Sequence, residues 1–414
     1  MNARYAVAFL VLLSSLGVAR ASDDAAAIAA IEKLGGQVKY DDQKNVIGVS
    51  LMNVQVGNSD LKMLPGFSHL QSLELWGADI SDKGMDFVKD LTTLTSLTLE
   101  NTDVTVNGLK KLTPLTKLKV IGLRRSIRLK DDALVELKSF PNLENVILLY
   151  NKFSDAGLVH LKELKKLRAV DLRGCVLVTD VGLKTLCEIP TIERIKLRNS
   201  PITDDGLAAT KQLKNLKGLA LEDSRISDVG LASLAGQTKI DELYLMRTTI
   251  TDKGLESFAK MNDLKRLELR GTSVTGPGLV HLRGKDKLKV LDCAETRVED
   301  AGLAYLEDLP ALDRLDLWFA QVTNKGVDSL CKIKSLTWLN LDSTQVNDEG
   351  VKKLTTSLPN LTYLGLNNTK VTDASLEAVA KLGKLTEIEI AFTQVTEDGL
   401  KKLQTALPKL KIAR

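Results

Sequence analysis

Few residues in this chain have the type and spacing for covalent or metal chemistry. Four cysteines stand at 175, 187, 293 and 331, with no C-x-x-C spacing. Cys293 stands where equivalent segments carry an inward leucine, and Cys175 where they carry a turn threonine or asparagine. Small buried thiols suit those places better than a disulfide frame or a metal site. Cys175 and Cys187 are close in sequence, which leaves a bridge between them open. His160 and His281 recur in the same Leu-Val-His-Leu context far apart in the chain, and His69 stands alone. None of them can share a metal with another. There is no G-x-S-x-G elbow, no phosphate-binding glycine loop and no H-E-x-x-H helix. Carboxylates are plentiful, but no spacing singles out a hydrolytic pair. The sequence reads as non-catalytic, with no cofactor and no metal. What remains is a set of aromatic and basic residues, whose meaning depends on the elements that carry them.

Those elements repeat. A pattern L-x-x-L-x-L-x-x-(T/S/N/C)-x-(V/I), followed by T-D-x-G-L, returns every 24 or 25 residues, as in Leu94-Thr-Ser-Leu97-Thr-Leu99-Glu-Asn-Thr102 and Leu264-Lys-Arg-Leu267-Glu-Leu269-Arg-Gly-Thr272. The first apolar positions run from Val46 to Leu385, giving fifteen units, with a half unit at Leu410. The L-x-L core has the period of a short strand, and pairs such as Leu109 and Leu112 have helical spacing. Neither piece can bury its apolar face alone, so the units must stack. The expected architecture is α/β, a solenoid with a parallel sheet on its concave face and short helices on its convex face. Thr203-Asp204, Ser227-Asp228 and Thr251-Asp252 place a hydroxyl N-cap and a carboxylate at each helix start. A glycine that recurs from Gly84 to Gly399 implies close approach of backbone between neighbouring coils. Pro141, Pro190, Pro310, Pro359 and Pro408 end helices and lead into the next strand.

Over residues 46–412, about nine tenths of the chain, the sequence resembles leucine-rich repeat proteins. The T-D-x-G-L spacing is similar to a short-repeat branch found in exported bacterial proteins and in the repeat domains of F-box proteins. The resemblance implies a protein-binding solenoid without chemistry of its own. No F-box is visible before the repeats, so a ubiquitin-ligase role is not carried over. Cysteine-rich caps are missing too.

Residues 1–21 read as a secretory signal: Arg4, an apolar stretch Tyr5–Val18, and an Ala19-Arg20-Ala21 cleavage site. No other stretch is long and apolar enough to span a bilayer, so the expected product is exported, periplasmic or secreted, without stable membrane insertion. Residues 22–45 read as an N-terminal cap and 46–414 as the repeat domain. Formal net charge is +4, and the leader holds two of the basic residues, Arg4 and Arg20. Such a balance argues against a nucleic-acid partner.

The third, fifth and seventh positions of each unit alternate with the buried leucines and face the concave side, with the eighth at its rim. These positions collect all three tryptophans, Trp76, Trp318 and Trp338, together with Tyr150, Tyr244, Tyr363, Phe319 and Phe392. Strands favour aromatics for packing alone, yet four of the eight crowd into three consecutive units as Trp318, Phe319, Trp338 and Tyr363. Clusters of this kind anchor interfaces. A second group is basic: Arg124, Arg125, Arg173, Arg194, Lys196 and Arg198. Register puts Asp171 beside Lys196 and Glu242 beside Arg266, whereas Arg124, Arg125 and Arg198 show no such neighbour. The expected function is recognition of a macromolecule, foremost a protein, with charges orienting the approach. Glycan or cell-wall binding, and self-association as an envelope component, are the alternatives.

Overall fold

The computed structural model describes residues 25–414. The expected signal segment 1–21 and the first three residues of the expected cap lie outside them. By their contacts the residues form two compact units, one ending at Val178 and the other running Thr179–Arg414.

The first unit opens with a helix over 25–33 and an antiparallel hairpin, Gln37–Tyr40 with Val46–Leu51. From Val46–Leu51 onward every strand is parallel to the next, through Ser72–Trp76, Ser96–Glu100, Val120–Arg124, Asn145–Ile147 and Ala169–Asp171. The second unit repeats the arrangement from Arg194–Arg198 to Lys411–Ala413. Both are stacked coils with a parallel sheet along one side and short helices along the other. Leu264, Leu267 and Leu269 illustrate the cause: the first, fourth and sixth positions of a coil are fully buried. The residues between them stay half open on the sheet face.

A tight turn ends each strand. The eighth position is left-handed in every coil, with φ from 48° at Arg125 to 117° at Gly77. In several coils the ninth-position hydroxyl then donates to the carbonyl of the sixth, as in Thr248 to Leu245 at 2.7 Å and Thr272 to Leu269 at 2.6 Å. Cys175 occupies the same place and donates through its thiol to the Leu148 carbonyl at 2.9 Å. Four free thiols result, and Cys175 and Cys187 are not bridged.

The Thr-Asp pair at each helix start does more than cap. Asp228 accepts the Thr251 amide at 2.8 Å through one oxygen and the Thr251 hydroxyl at 2.7 Å through the other. The Thr251 hydroxyl in turn accepts the Lys253 amide at 3.3 Å. Equivalent rungs join Asp82 to Thr105, Asp131 to Ser154, Asp180 to Thr203, Asp204 to Ser227, Asp300 to Thr323, Asp348 to Thr372 and Asp373 to Thr396. Each carboxylate therefore ties its coil to the next. Val106 and Gly276 stand where an aspartate would, and their successors at the cap, Lys130 and Glu299, have no side-chain cap bond.

The recurrent glycine makes room for this rung. A Cβ at Gly206 would lie 2.2 Å from Asp180 Oδ1, and one at Gly254 2.5 Å from Asp228 Oδ1. The expectation of backbone against backbone is thus corrected at these positions: the neighbour is a carboxylate. At Gly302 against Gly276, and at Gly278 against Asp252, backbone does close on backbone. The helical segments are also less regular than their spacing suggests. Gly254–Phe258 and Pro277–Leu282 are 3-10 turns, while Asp348–Ser357 and Glu397–Ala406 are ten-residue α-helices. Among the described residues no helix is long and apolar enough to cross a membrane.

Candidate binding surface

Most of the aromatic residues singled out lie on the sheet face of the Thr179–Arg414 unit. Adjacent strands bring Arg314, Trp338 and Tyr363 into register at the third position. Trp338 and Tyr363 stack with ring centroids 4.3 Å apart and planes 5° apart. The Arg314 guanidinium lies 3.4 Å from the Trp338 ring centre on the other flank. Both faces of Trp338 are therefore occupied, which is how a tryptophan stands half open without a costly bare surface. Trp318 meets Phe319 at 6.5 Å and 59°, with the Arg270 guanidinium 4.5 Å from its ring. Among the described residues no ring contact joins this pair to the Trp338–Tyr363 stack. Tyr244 stands apart, with the Lys196 ammonium 5.7 Å from its ring. Burial, with Glu242 as the next cause, pushes its phenol up to about 12. Burial and Glu389 raise the Tyr363 phenol as well.

Phe319 and Phe392 are exposed, at 63% and 88%. Both occupy the left-handed eighth position, φ 59° and 56°, where a bulky L side chain is strained by about 1–2 kcal/mol. Phe392→Asn is expected to raise stability by about 0.5–1 kcal/mol, because asparagine tolerates this conformation. Urea titration of the two proteins checks it, and a drop in midpoint would refute the strain. In the first unit, Tyr150 takes the same strained position (φ 55°), with the Arg125 guanidinium 5.1 Å from its ring. Trp76 is half-buried at the end of its strand, in register with Glu100.

The basic group is corrected by the structure. Arg124 and Arg125, expected to lack an acidic neighbour, both approach Glu100, at 3.5 and 3.6 Å. Arg124 and Glu100 are register partners on adjacent strands, one strand before the span over which the basic residues cluster in sequence. Arg198, also expected to stand alone, pairs with Asp223 at 3.0 Å. Arg173 pairs with Asp171 at 2.7 Å. Glu242 and Arg266 are register partners, but each takes a different ion: Arg266 bonds Glu268 at 3.0 Å. Arg194 reaches Asp241 and Glu242, both at 2.9 Å, lying across Gly218, whose missing side chain leaves the path open. Partly exposed pairs like these are worth up to about 1 kcal/mol each. They leave little unmatched positive charge for an acidic partner.

Sequence reasoning missed a row of carboxylates. Glu268, Asp292 and Asp316 occupy the fifth position of three consecutive strands, in register. Burial pushes the Asp292 carboxyl up to about 6, with Asp316 and Glu268 adding to it. Asp316 is raised by burial too. Further along, burial also pushes the Asp342 carboxyl up to about 6, while it accepts the Asn367 amide and side chain. The signal was available, since the fifth-position column can be read off the repeat register. The thiols point away from reactivity: burial raises Cys175 to about 11, Cys187 to about 12, and Cys293 as well, which keeps them as inert thiols. No group of three or more His, Cys, Asp or Glu among the described residues is placed to hold a metal ion.

Comparison with known proteins agrees with this geometry. The structure resembles that of a Leptospira interrogans leucine-rich repeat protein, LIC12759, at TM-score 0.55 and 16% identity, over 87% of this chain and 95% of that one. It resembles yeast Rad7 in complex with Elc1 at TM-score 0.56 and 16% identity, over 100% and 98%. A third similar structure is TLR13 with a single-stranded RNA, TM-score 0.54 and 16% identity, over 82% and 55%. At such identities the likeness is one of fold. No curated protein sequence matches the chain. Residues 148–412, more than half of the sequence, match a family described as a leucine-rich repeat region. The stacked strand-and-helix coils, their buried leucine positions and this match place the chain in the leucine-rich repeat family.

Proposed function

We propose that this chain is an exported, non-catalytic binding protein that recognises a protein through the sheet face of its repeats. The observation that carries the reading is the aromatic surface of the Thr179–Arg414 unit, Trp338 on Tyr363 and Trp318 beside Phe319. Rigid aromatic side chains already packed into position lose little entropy on binding. Rad7 is seen in complex with another protein, which fits a protein partner for a repeat surface of this kind. The near-neutral charge balance and the internally paired arginines favour protein over nucleic acid. Export rests on the leader-like residues 1–21.

Glycan binding by stacking would need an open ring face. Trp338 is covered by Arg314 and Tyr363, which favours protein over sugar at this ring. The test is retention of a partner from envelope and culture extracts by residues 22–414 and by Trp318→Ala/Trp338→Ala, with circular dichroism confirming both are folded. The double variant is expected to bind the retained protein at least about 30-fold more weakly, as loss of an interface anchor would give. Equal affinity would overturn the aromatic anchor. Retention of purified polysaccharide in place of protein would select the glycan reading.

A further inference from the structure

The helical segments Ala208–Gln212 and Ala232–Leu234 belong to neighbouring coils, and a hollow of about 300 Å³ lies where they end. That is the lower end of the range for sites that take a small molecule, roughly 300–1,000 Å³. Lys211, Lys214 and Lys239 stand at it, and no acidic residue lines it. All three lysines are exposed. Among the described residues none of them has a carboxylate within ion-pair distance, and Lys239 instead donates to the Asn215 side-chain oxygen at 2.7 Å. A lysine at the end of a helical segment complements the carbonyls there, which accounts for Lys211 alone. It does not account for two buried polar side chains at the same place. Ser233 and Gln237 line the hollow, and each is only 8% exposed. Gln237 stands where the flanking coils carry Leu213 and Met261. Its amide nitrogen donates to the Thr210 carbonyl at 2.8 Å, and among the described residues its oxygen accepts no bond. The Ser233 hydroxyl has no hydrogen-bond partner among them, whereas the buried Thr210 hydroxyl of the preceding coil donates to Leu207 at 2.7 Å. A buried hydroxyl left open costs stability unless something else completes it.

We infer that this hollow binds a sugar that carries a phosphate or sulfate group. The three ammonium groups supply the charge that holds the oxyanion. The Ser233 hydroxyl donates to the same ligand, and the Gln237 oxygen accepts from a sugar hydroxyl. A bare oxyanion would leave most of the hollow unfilled, and a neutral sugar would leave three lysines without a counter-charge. The hollow shares no residue with the aromatic surface of the sheet face, so the inference stands apart from the protein-binding reading.

Binding to residues 22–414 is measured by isothermal titration calorimetry with glucose 6-phosphate, glucose 6-sulfate, glucose, inorganic phosphate and inorganic sulfate. At least one anionic sugar is expected to bind saturably, about tenfold or more tighter than glucose and than its own inorganic ion. Which of the two binds tighter identifies the group. Lys211→Gln/Lys214→Gln/Lys239→Gln is expected to weaken that sugar by about tenfold or more, with circular dichroism verifying the fold. Ser233→Ala is expected to weaken it several-fold without lowering the urea midpoint, since the preceding coil holds Ala209 at the equivalent place. Lys325→Gln/Lys352→Gln/Lys370→Gln removes the same charge from exposed positions elsewhere and is expected to bind as the wild type does. No binding of either anionic sugar, or binding no tighter than that of the inorganic ion, would overturn the inference. So would full binding by the first triple variant or by Ser233→Ala, or equal weakening by the two triple variants.

Discussion

Asp228→Ala is expected to lower the unfolding free energy by about 3 kcal/mol, since hydrogen bonds to a charged group contribute about 1.5–3 kcal/mol each and this one is part-solvated. The carboxylate accepts both the amide and the hydroxyl of Thr251 in the next coil. Removing it leaves an amide and a hydroxyl without their partner at an inter-coil seam. Gly254→Ala should be damaging for the same reason from the other side, because its Cβ would press to 2.5 Å from Asp228 Oδ1. The two changes are therefore not additive. With Asp228 already alanine, the added methyl at 254 meets no carboxylate, and its effect should shrink to less than half. Urea denaturation of the wild type, both single variants and the double variant measures the coupling. If Gly254→Ala costs the same in both backgrounds, the glycine is not there to admit the rung. Asp228→Asn should fall between wild type and alanine, as asparagine keeps one acceptor; the Asn324–Asn347 rung shows that pairing in this chain.

The second large effect has the opposite sign. Asp292→Asn is expected to stabilise the protein at pH 7 by about 2 kcal/mol, and the gain should vanish below about pH 4. Burial raises the Asp292 carboxyl from its ordinary 3.8 to about 6. A carboxyl raised in the folded state binds more protons folded than unfolded between those two values. Its ionisation then erodes stability as pH climbs through that window, and the full penalty is present above about 6. Asp316 and Glu268 face it and add to the penalty, while Arg270 offsets part of it. Asparagine keeps the acceptor for the Ala294 amide and carries no charge at any pH. Thermal midpoints of the two proteins from pH 3.5 to 7.5 test this. Parallel curves would show that the carboxyl titrates normally.

How much of this was legible beforehand differs by element. Leucine spacing is enough to specify the stacked coils, because a two-residue strand period and a helical period in one 24-residue unit have few other ways to be buried. The aromatic column was legible for the same reason: register follows from the repeat. Arg124 and Arg198 were misread because their partners, Glu100 and Asp223, lie in the coils just before and just after the run in which the basic residues cluster. Arg194 could not be foreseen to stretch across Gly218 to a strand two places away. Nor do spacings show that a cap aspartate bonds forward to the following coil, since that depends on helix tilt and coil rise. Asp292 escaped notice because acids in a polar column look solvated until burial is known.

The rung between coils has one further consequence. Acceptor and donor always come from successive coils: Asp204 holds Ser227, and Asp228 holds Thr251. If one coil between rungs were excised whole, the aspartate before it would meet the hydroxyl after it, and the seam would close with the same chemistry. A coil inserted between two such rungs would find the same donor and acceptor on either side. Where the rung is present, a chain built on such joints can change length by whole coils and keep the same chemistry at that seam, so the length of the sheet face is adjustable separately from the side chains it carries.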